Sequence, residues 1–274
     1  EKSQFDKNFL DYGYIELSIP AGENQSYLLE PHYLHIWPRD KFMLIALPNP
    51  DKTFTCTLFL SYEGNKSFEK LKEKKDITAF FKQEFSDAFR MMPHLEEEFV
   101  NYPTSSLVTI KSFPWHSNGT LAIGDASHAI VPFYGQGMNA GFEDCRVLMD
   151  LIDRHEADWD LVLPLFESTR KKDTDAIADL ALSNFEEMRS KVMDEEFLRR
   201  KKIEAEIHKQ YPNDWIPLYT MVTFSHTPYA LAKAIGHLQE KVYENARKGD
   251  YLDDLGRMVA ELNILKKDVL TILQ

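Results

Sequence analysis

Residues 121–145 read LAIGDASHAIVPFYGQGMNAGFEDC. The apolar run Leu121, Ala122, Ile123 stops at Gly124-Asp125. A second short apolar piece follows, and Gly135, Gly137 and Gly141 then lead into a helical pattern. A strand that ends in Gly-Asp and feeds a glycine-rich helix start suits a polar, phosphorylated or polyhydroxylated ligand. The Asp offers an acceptor to hydroxyls, the glycines let backbone N–H groups come close, and the helix N-terminus favours negative charge. Gly-Asp with Gly-x-Gly also occurs in ordinary turns, so these residue types alone leave both readings open.

On the N-terminal side, residues 12–60 have a strand-like composition. Tyr14, Ile15, Leu17 and Ile19 precede a Pro-Ala-Gly turn, Tyr33 to Trp37 ends at Pro38-Arg39-Asp40, and Phe42 to Leu47 ends at Pro48-Asn49-Pro50-Asp51. Phe54 to Leu60 alternates Phe54, Cys56, Leu58 and Leu60 against Thr55, Thr57 and Phe59. Short strands between turns predict an antiparallel sheet. Bulky residues on both of its faces predict that both are covered, one of them by a ligand. Lys66 to Phe85 has helical spacing (Phe68, Leu71, Ile77, Phe80, Phe81, Phe85), Leu95 to Phe99 reads as a short helix, and Leu107 to Ile110 and Leu121 to Ile123 read as strands. From Asn139 onward the pattern is helical: 139–154, one or two long helices over 161–210, a break at Tyr211-Pro212-Asn213, the uncharged segment 217–225, and amphipathic helices over 229–246 and 252–273.

The chain has 274 residues, 43% hydrophobic and 28% charged, which fits a globular protein with a sizeable core. A net charge of −12 argues against a nucleic-acid surface. Cys56 and Cys145 have no metal spacing and point to a reducing, cytoplasmic setting. The longest apolar run, Phe42 to Leu47, falls far short of the ~20 residues of a membrane span, so no membrane anchor is expected. The start, EKSQFDKNF, lacks a Met and a signal-peptide n-region and reads as a cut end.

Asp125 is the sharpest single residue, although most Asp residues after a strand only cap a turn. His128, a lone His in an apolar setting, reads as a satisfied structural residue rather than a base. Pro132 and Phe133 fit a core-anchored loop as well as a ligand contact, and Asn139 fits a helix cap. Further on, Ile177, Ala181, Asn184 and Met188 share one helical face, so Asn184 interrupts an apolar stripe with Glu187 beside it. It is either a buried amide bonded to a neighbour or the polar anchor of a pocket. Tyr219 is a phenol in an apolar segment, by pattern a core residue. The chain has no Ser-His-Asp arrangement, no Cys/His cluster, no P-loop and no GxGxxG.

As a whole, the 121–145 segment resembles the second flavin-binding motif of the class A FAD-dependent aromatic hydroxylases, in which GD is followed by PxxGxGxN. The wording PFYGQGMNAGFEDC is most similar to the kynurenine-hydroxylating members. The resemblance continues through DYGYIELSIP, YLHIWPRDKFMLIALPNPDKTFTCTLF, SNFEEMR and PLYTMVTFS. It implies a mixed α/β fold: an antiparallel substrate-domain sheet (1–115), the tail of an FAD-binding domain (116–160) and C-terminal helices (161–274). The N-terminal GxGxxG unit that holds the ADP half of FAD is absent from this chain.

Residue by residue, the resemblance implies that Gly124 and Asp125 bind the ribityl and pyrophosphate side of the flavin. Pro132 would face its reactive side, and Gly135, Gln136, Gly137, Met138 and Asn139 would line its polar edge. Phe133 would pack on the substrate ring, Leu34, Ile36 and Phe59 would form an apolar wall, and Asn184 and Tyr219 would hydrogen-bond the amino-acid end beside Glu187 and Met188. Ser127 departs from an Ala common after GDA, and Tyr134 stands where an aromatic or His varies. An Arg and a Tyr that grip the substrate carboxylate in the family belong to the part this chain lacks.

The activity implied is hydroxylation of L-kynurenine to 3-hydroxykynurenine with FAD, NADPH and O2 through a flavin C4a-hydroperoxide. No protein acid or base is needed, because the aniline nitrogen activates its own ring. A hydroxylase of the same fold with another ring substrate, and a non-catalytic fragment unable to hold FAD alone, are the alternatives. The oligomeric state is not legible.

Overall fold

The computed structural model describes residues 4–191 and 194–273, and side chains outside 4 and 268–273. Glu1 to Ser3, where the cut-end reading falls, lie outside the described residues. Among the described residues there are seven strands: β1 (Gln4–Ile19), β2 (His35–Pro38), β3 (Met43–Pro48), β4 (Phe54–Ser61), β5 (Ser105–Phe113), β6 (His116–Ser117) and β7 (Thr120–Leu121). Between β4 and β5 come α1 (Lys74–Glu84), α2 (Ser86–Phe89) and α3 (Leu95–Asn101). After β7 come α4 (Asp125–His128), α5 (Gly137–Arg154), α6 (Trp159–Arg189), α7 (Glu195–Gln210), α8 (Leu218–Phe224), α9 (Tyr229–Lys248) and α10 (Leu255–Leu273). The chain divides into two compact units, one built on residues 109–184 and 194 onward with the start of β1, the other on 8–108 and the end of α6.

In the second of these units the strands run β2-β3-β4-β1-β5, and the pairs β2·β3, β3·β4 and β4·β1 are antiparallel. The mixed α/β class and the antiparallel sheet agree with the expectation. Residues directly opposite one another share a face of a sheet. Register therefore places Ile15, Leu17, Ile19, Leu44, Ala46, Phe54, Cys56, Leu58 and Leu60 together, and these form one core with Phe68, Ile77, Phe81, Phe85, Leu95 and Phe99. The opposite face carries Ile36 facing Ile45, Ile45 facing Thr57, and Phe59 facing both Met43 and Tyr14. Glu98 of α3 accepts from the backbone N–H of Ser18 at 2.8 Å, which ties the helical layer to β1.

The helix expected over 66–85 starts only at Lys74. Upstream, Phe68 N–H bonds Ser61 O, Glu69 N–H bonds Tyr62 O and Ser67 Oγ donates to Gly64 O. Phe68 and Leu71 are still buried, but from a looped segment that folds back on β4. Spacing alone cannot separate this from a helical turn. The strand expected at Leu121–Ile123 is likewise shorter: Thr120 and Leu121 pair with β6, and the chain then turns into Gly124.

In the first unit, the long helical stretch resolves into α6 and α7. Asp194 caps α7 by accepting from Phe197 N–H at 2.8 Å. Tyr134, Ala140, Ala176, Ile177, Leu180, Met221, Val222 and Tyr229 form a core around α5, α6, α8 and α9. Asp179 of α6 is bridged by Lys111 and Lys233; burial works to raise its pKa, but the two ammonium groups outweigh it and hold it below the usual carboxylate range. No helix among the described residues is long and apolar enough to cross a membrane.

Phe81 is fully buried within a ring cluster that includes Phe80, Phe85 and Phe99. Phe81→Ala should lower the unfolding free energy by about 3–5 kcal/mol, the ordinary cost of emptying a core aromatic site. Val100→Ala, at an exposed position of α3, should stay within about 0.5 kcal/mol. Urea denaturation followed by circular dichroism checks both values.

Candidate functional site

The turn that closes the 121–125 run is set by backbone geometry. Gly124 has φ +59 and ψ −141, and a Cβ built there would sit 4.0 Å from the Cα of Gly141 in α5. A side chain would be strained at that φ, and the close pass of two glycine backbones leaves the turn pressed against the helix. Asp125 follows as the first residue of α4, exposed, with no side-chain hydrogen bond to a cap.

What holds this turn is a group the sequence reading did not single out. Asp144 of α5 is fully buried and accepts three hydrogen bonds: from Gly124 N–H at 2.9 Å, His128 Nε2 at 2.6 Å and Arg170 Nε of α6 at 2.8 Å. Burial works to raise its carboxyl pKa, but His128, Arg170 and the Gly124 amide together prevail and hold it below the usual carboxylate range. Arg170, also buried, continues to Glu143 at 3.0 Å, to the Ala140 carbonyl at 3.2 Å and to the edge of Asp173 at 4.0 Å. Asp173 in turn accepts from Ala230 N–H at the start of α9, and burial raises its pKa above the ordinary value. His128 is thus a satisfied structural residue, as its setting suggested. Asp144 could have been found from its spacing: it falls on the same face of α5 as Ala140 and Leu151, a carboxylate in an apolar stripe.

The second half of the motif is a loop and a helix start. Pro132 to Tyr134 form a single 3-10 turn, closed by Gly135 at φ +65 with open space where a side chain would stand. Pro132 is exposed, whereas Phe133 and Tyr134 are buried. α5 begins at Gly137 with no side-chain cap, so its first-turn N–H groups, those of Gly137, Met138 and Asn139, lack intrahelical partners. Asn139 does not act as a cap; its Nδ2 donates to Gln136 Oε1 at 3.1 Å. Met138 is 71% exposed and Phe142 66%, so the helix opens an apolar strip beside its N-terminus.

Two other candidates of this unit lie against the loop. Asn184 Nδ2 donates to the Phe133 carbonyl at 2.7 Å, bracing the 3-10 turn. Tyr219 of α8 stacks on Tyr134, ring centroids 5.6 Å apart and planes 24° apart, with its phenol half exposed. The structure therefore brings Phe133, Asn184 and, through Tyr134, Tyr219 to one loop. The remaining candidates belong to the other unit. There Phe59 is buried beside Tyr14 with ring centroids 6.0 Å apart, Ile36 lies on the same face of the sheet, and Leu34 is exposed just before β2. Glu187 is half-buried and Met188 buried on the last turn of α6, next to Arg189, which donates to Tyr12 Oη at 2.6 Å.

No protein-family model matches the chain. It is 50% identical over 245 residues to a Flavobacterium psychrophilum protein named kynurenine 3-monooxygenase, covering 89% of this chain and 55% of that one. Proteins of the same name from Myxococcus xanthus and Dictyostelium discoideum are 48% and 39% identical over 88% and 97% of this chain, and 52% and 61% of theirs. The chain thus spans a little over half the length of these curated relatives. Solved structures with a similar fold include 2-methyl-3-hydroxypyridine-5-carboxylic acid oxygenase (TM-score 0.55, 16% identity, 68% of this chain and 50% of that one). Klebsiella pneumoniae HpxO complexed with FAD and uric acid is another, at TM-score 0.52 and 16% identity over 72% of this chain and 49% of that one. At such identity they speak to the fold alone.

Asp144→Asn removes the charge that faces Arg170 and should cost about 3–5 kcal/mol, the usual penalty for leaving a buried ion without its partner. Because Asp144 titrates lower in the folded state than the ~3.9 of a free Asp, its stabilisation is complete above about pH 4. It is lost as pH falls through the folded value. The stability gap between wild type and variant should therefore shrink below pH 4, as read by urea denaturation from pH 3 to 7.

Proposed function

We propose, from the premise that this chain belongs to the kynurenine 3-monooxygenase family over the part of those enzymes it spans, that its residues serve the FAD-dependent hydroxylation of L-kynurenine to 3-hydroxykynurenine. NADPH would be the reductant and O2 the oxidant. The observation that carries this is the cradle at the start of α5. Gly124 takes a glycine-only conformation against Gly141, open space lies over Gly135, and the first-turn N–H groups of α5 are uncapped beside them. Oriented N–H donors around side-chain-free space are what the polar edge of a flavin requires. When bound, the flavin would supply the activation of O2.

In this proposal Gly124 and Asp125 take the ribityl and pyrophosphate side. Gly135, Gln136, Gly137, Met138 and Asn139 offer main-chain groups to the ring edge, and Pro132 lies before the reactive face. Phe133 packs on the substrate ring. Its carbonyl is held by Asn184, so the loop that carries it is braced before substrate arrives. Asn184 and Tyr219 stand beside that loop as the amide and the phenol for the amino-acid end of the substrate. Leu34, Ile36 and Phe59 form the apolar wall that excludes water, with Glu187 and Met188 at its margin.

FAD-loaded protein supplied with NADPH and L-kynurenine should release 3-hydroxykynurenine, measured by chromatography. Asn184→Ala should raise KM for kynurenine about tenfold to a hundredfold, the worth of a hydrogen bond to a charged group. Turnover of a hydroxybenzoate in preference to kynurenine would overturn the substrate assignment.

A further inference from the structure

The start of α5 also borders a cavity that the side chains of Gln136 and Asn139 face. It encloses about 700 Å3 between the N-terminal half of α5 and the turn that joins α8 to α9, and Gln136, Asn139, Phe142, Arg146, Val222 and Tyr229 are among its lining residues. Volumes of this order suit small-molecule ligands.

Its polar floor is fixed in one orientation. Gln136 is only 4% exposed, and its Oε1 accepts two hydrogen bonds, from Tyr229 Oη at 2.9 Å and from Asn139 Nδ2 at 3.1 Å. The amide carbonyl therefore faces the protein, and Nε2 is the end left to the cavity. Among the described residues nothing accepts from it. Burial pushes the Tyr229 pKa up to about 12, with Glu143 adding to the rise, so this phenol keeps its proton and remains a donor at ordinary pH.

Beside the Gln136 Nε2 donor sits an acceptor. Asn139 has its Nδ2 on Gln136, which leaves Oδ1 as its outward group. A donor next to an acceptor complements a carboxamide, whose oxygen and NH2 answer each in turn. Charge at the rim favours a neutral group over an anion, because Arg146 is already paired with Glu143 at 3.4 Å and Asp150 at 2.9 Å. Phe142 and Val222 supply apolar walls for a flat ring.

We propose that this cavity is a binding subsite for a neutral, planar, ring-borne carboxamide, the chemistry of a nicotinamide head group. Tyr229 is its positioning residue, because the phenol sets which end of the Gln136 amide is presented. That the physiological source is a reduced nicotinamide dinucleotide rests on the function proposed above; the subsite itself does not.

The test is saturation-transfer NMR at pH 8 on the full chain with millimolar nicotinamide, with nicotinic acid as the anionic control and riboflavin as competitor. Wild type should give a nicotinamide signal at least fivefold stronger than that of nicotinic acid. Gln136→Glu keeps acceptors for Tyr229 and Asn139 but replaces the NH2, and should reduce the nicotinamide signal at least fivefold with the thermal midpoint retained. Tyr229→Phe frees the amide to turn and should weaken the signal about threefold, which keeps the test open if the first variant folds poorly. Equal signals for the two ligands, a Gln136→Glu variant that binds as wild type, or complete displacement by riboflavin would each overturn the proposal. Kynurenine turnover is read separately, so failure of the enzymatic assignment and failure of the subsite give different results.

Discussion

A carboxylate with no access to water holds the Gly124 turn of this protein in place. Asp144 accepts from the Gly124 amide, from His128 and from Arg170, three donors from the turn, from α4 and from α6. A buried charge is tolerable only when it is paired and hydrogen-bonded on every side, and here it is. Because hydrogen bonds to an ion are short and directional, the Asp fixes where Gly124 stands, and with it the direction in which Asp125 leaves. Arg170 carries the restraint on, to the Ala140 carbonyl one turn back in α5 and towards Asp173, which holds the first turn of α9.

That second branch meets the loop from the other side. α9 starts with Tyr229, whose hydroxyl reaches Gln136 at the N-terminus of α5. The Gly-Asp turn and the glycine-rich loop, separated in sequence by α4, are therefore referenced to one buried ionic strut. The glycines give the backbone freedom to approach a ligand, while the strut removes freedom everywhere that would let it drift. A site of this kind is preorganised: its donors are aimed before anything binds.

Much of the frame was legible in the sequence because it depends on local periodicity. Alternation in Phe54 to Leu60 gave the buried face of the sheet, and helical spacing gave α5, α9 and α10, because apolar residues must repeat with the geometry that buries them. Phe68 and Leu71 were misleading for the same reason. Their spacing matched a helix, but a backbone pairing with β4 satisfies their burial without one. The glycines and Asp125 could be picked out as a pattern; Asp144 was marked only by its place in the apolar stripe of α5, and Arg170 looked like an ordinary helical charge. Their roles arise from partners far off in sequence, Arg170 lying 26 positions beyond Asp144. The orientation of the Gln136 amide was illegible too, since it is decided by a phenol 93 positions away.

Asn184 shows why pattern could not choose between its two readings. As a polar break in an apolar stripe it was either a brace or a ligand anchor, and the geometry shows the brace. Its Nδ2 grips the Phe133 carbonyl, which consumes a donor and orients the side chain in the same act. An amide held in this way has lost its rotational freedom to the protein. Tyr219, stacked on Tyr134 next to the same loop, is restrained by ring contact rather than by a hydrogen bond. Bracing by one amide and one stacked ring restrains the loop between Pro132 and Gly135 from two sides, by a directional hydrogen bond on its backbone and by ring contact on its side chain.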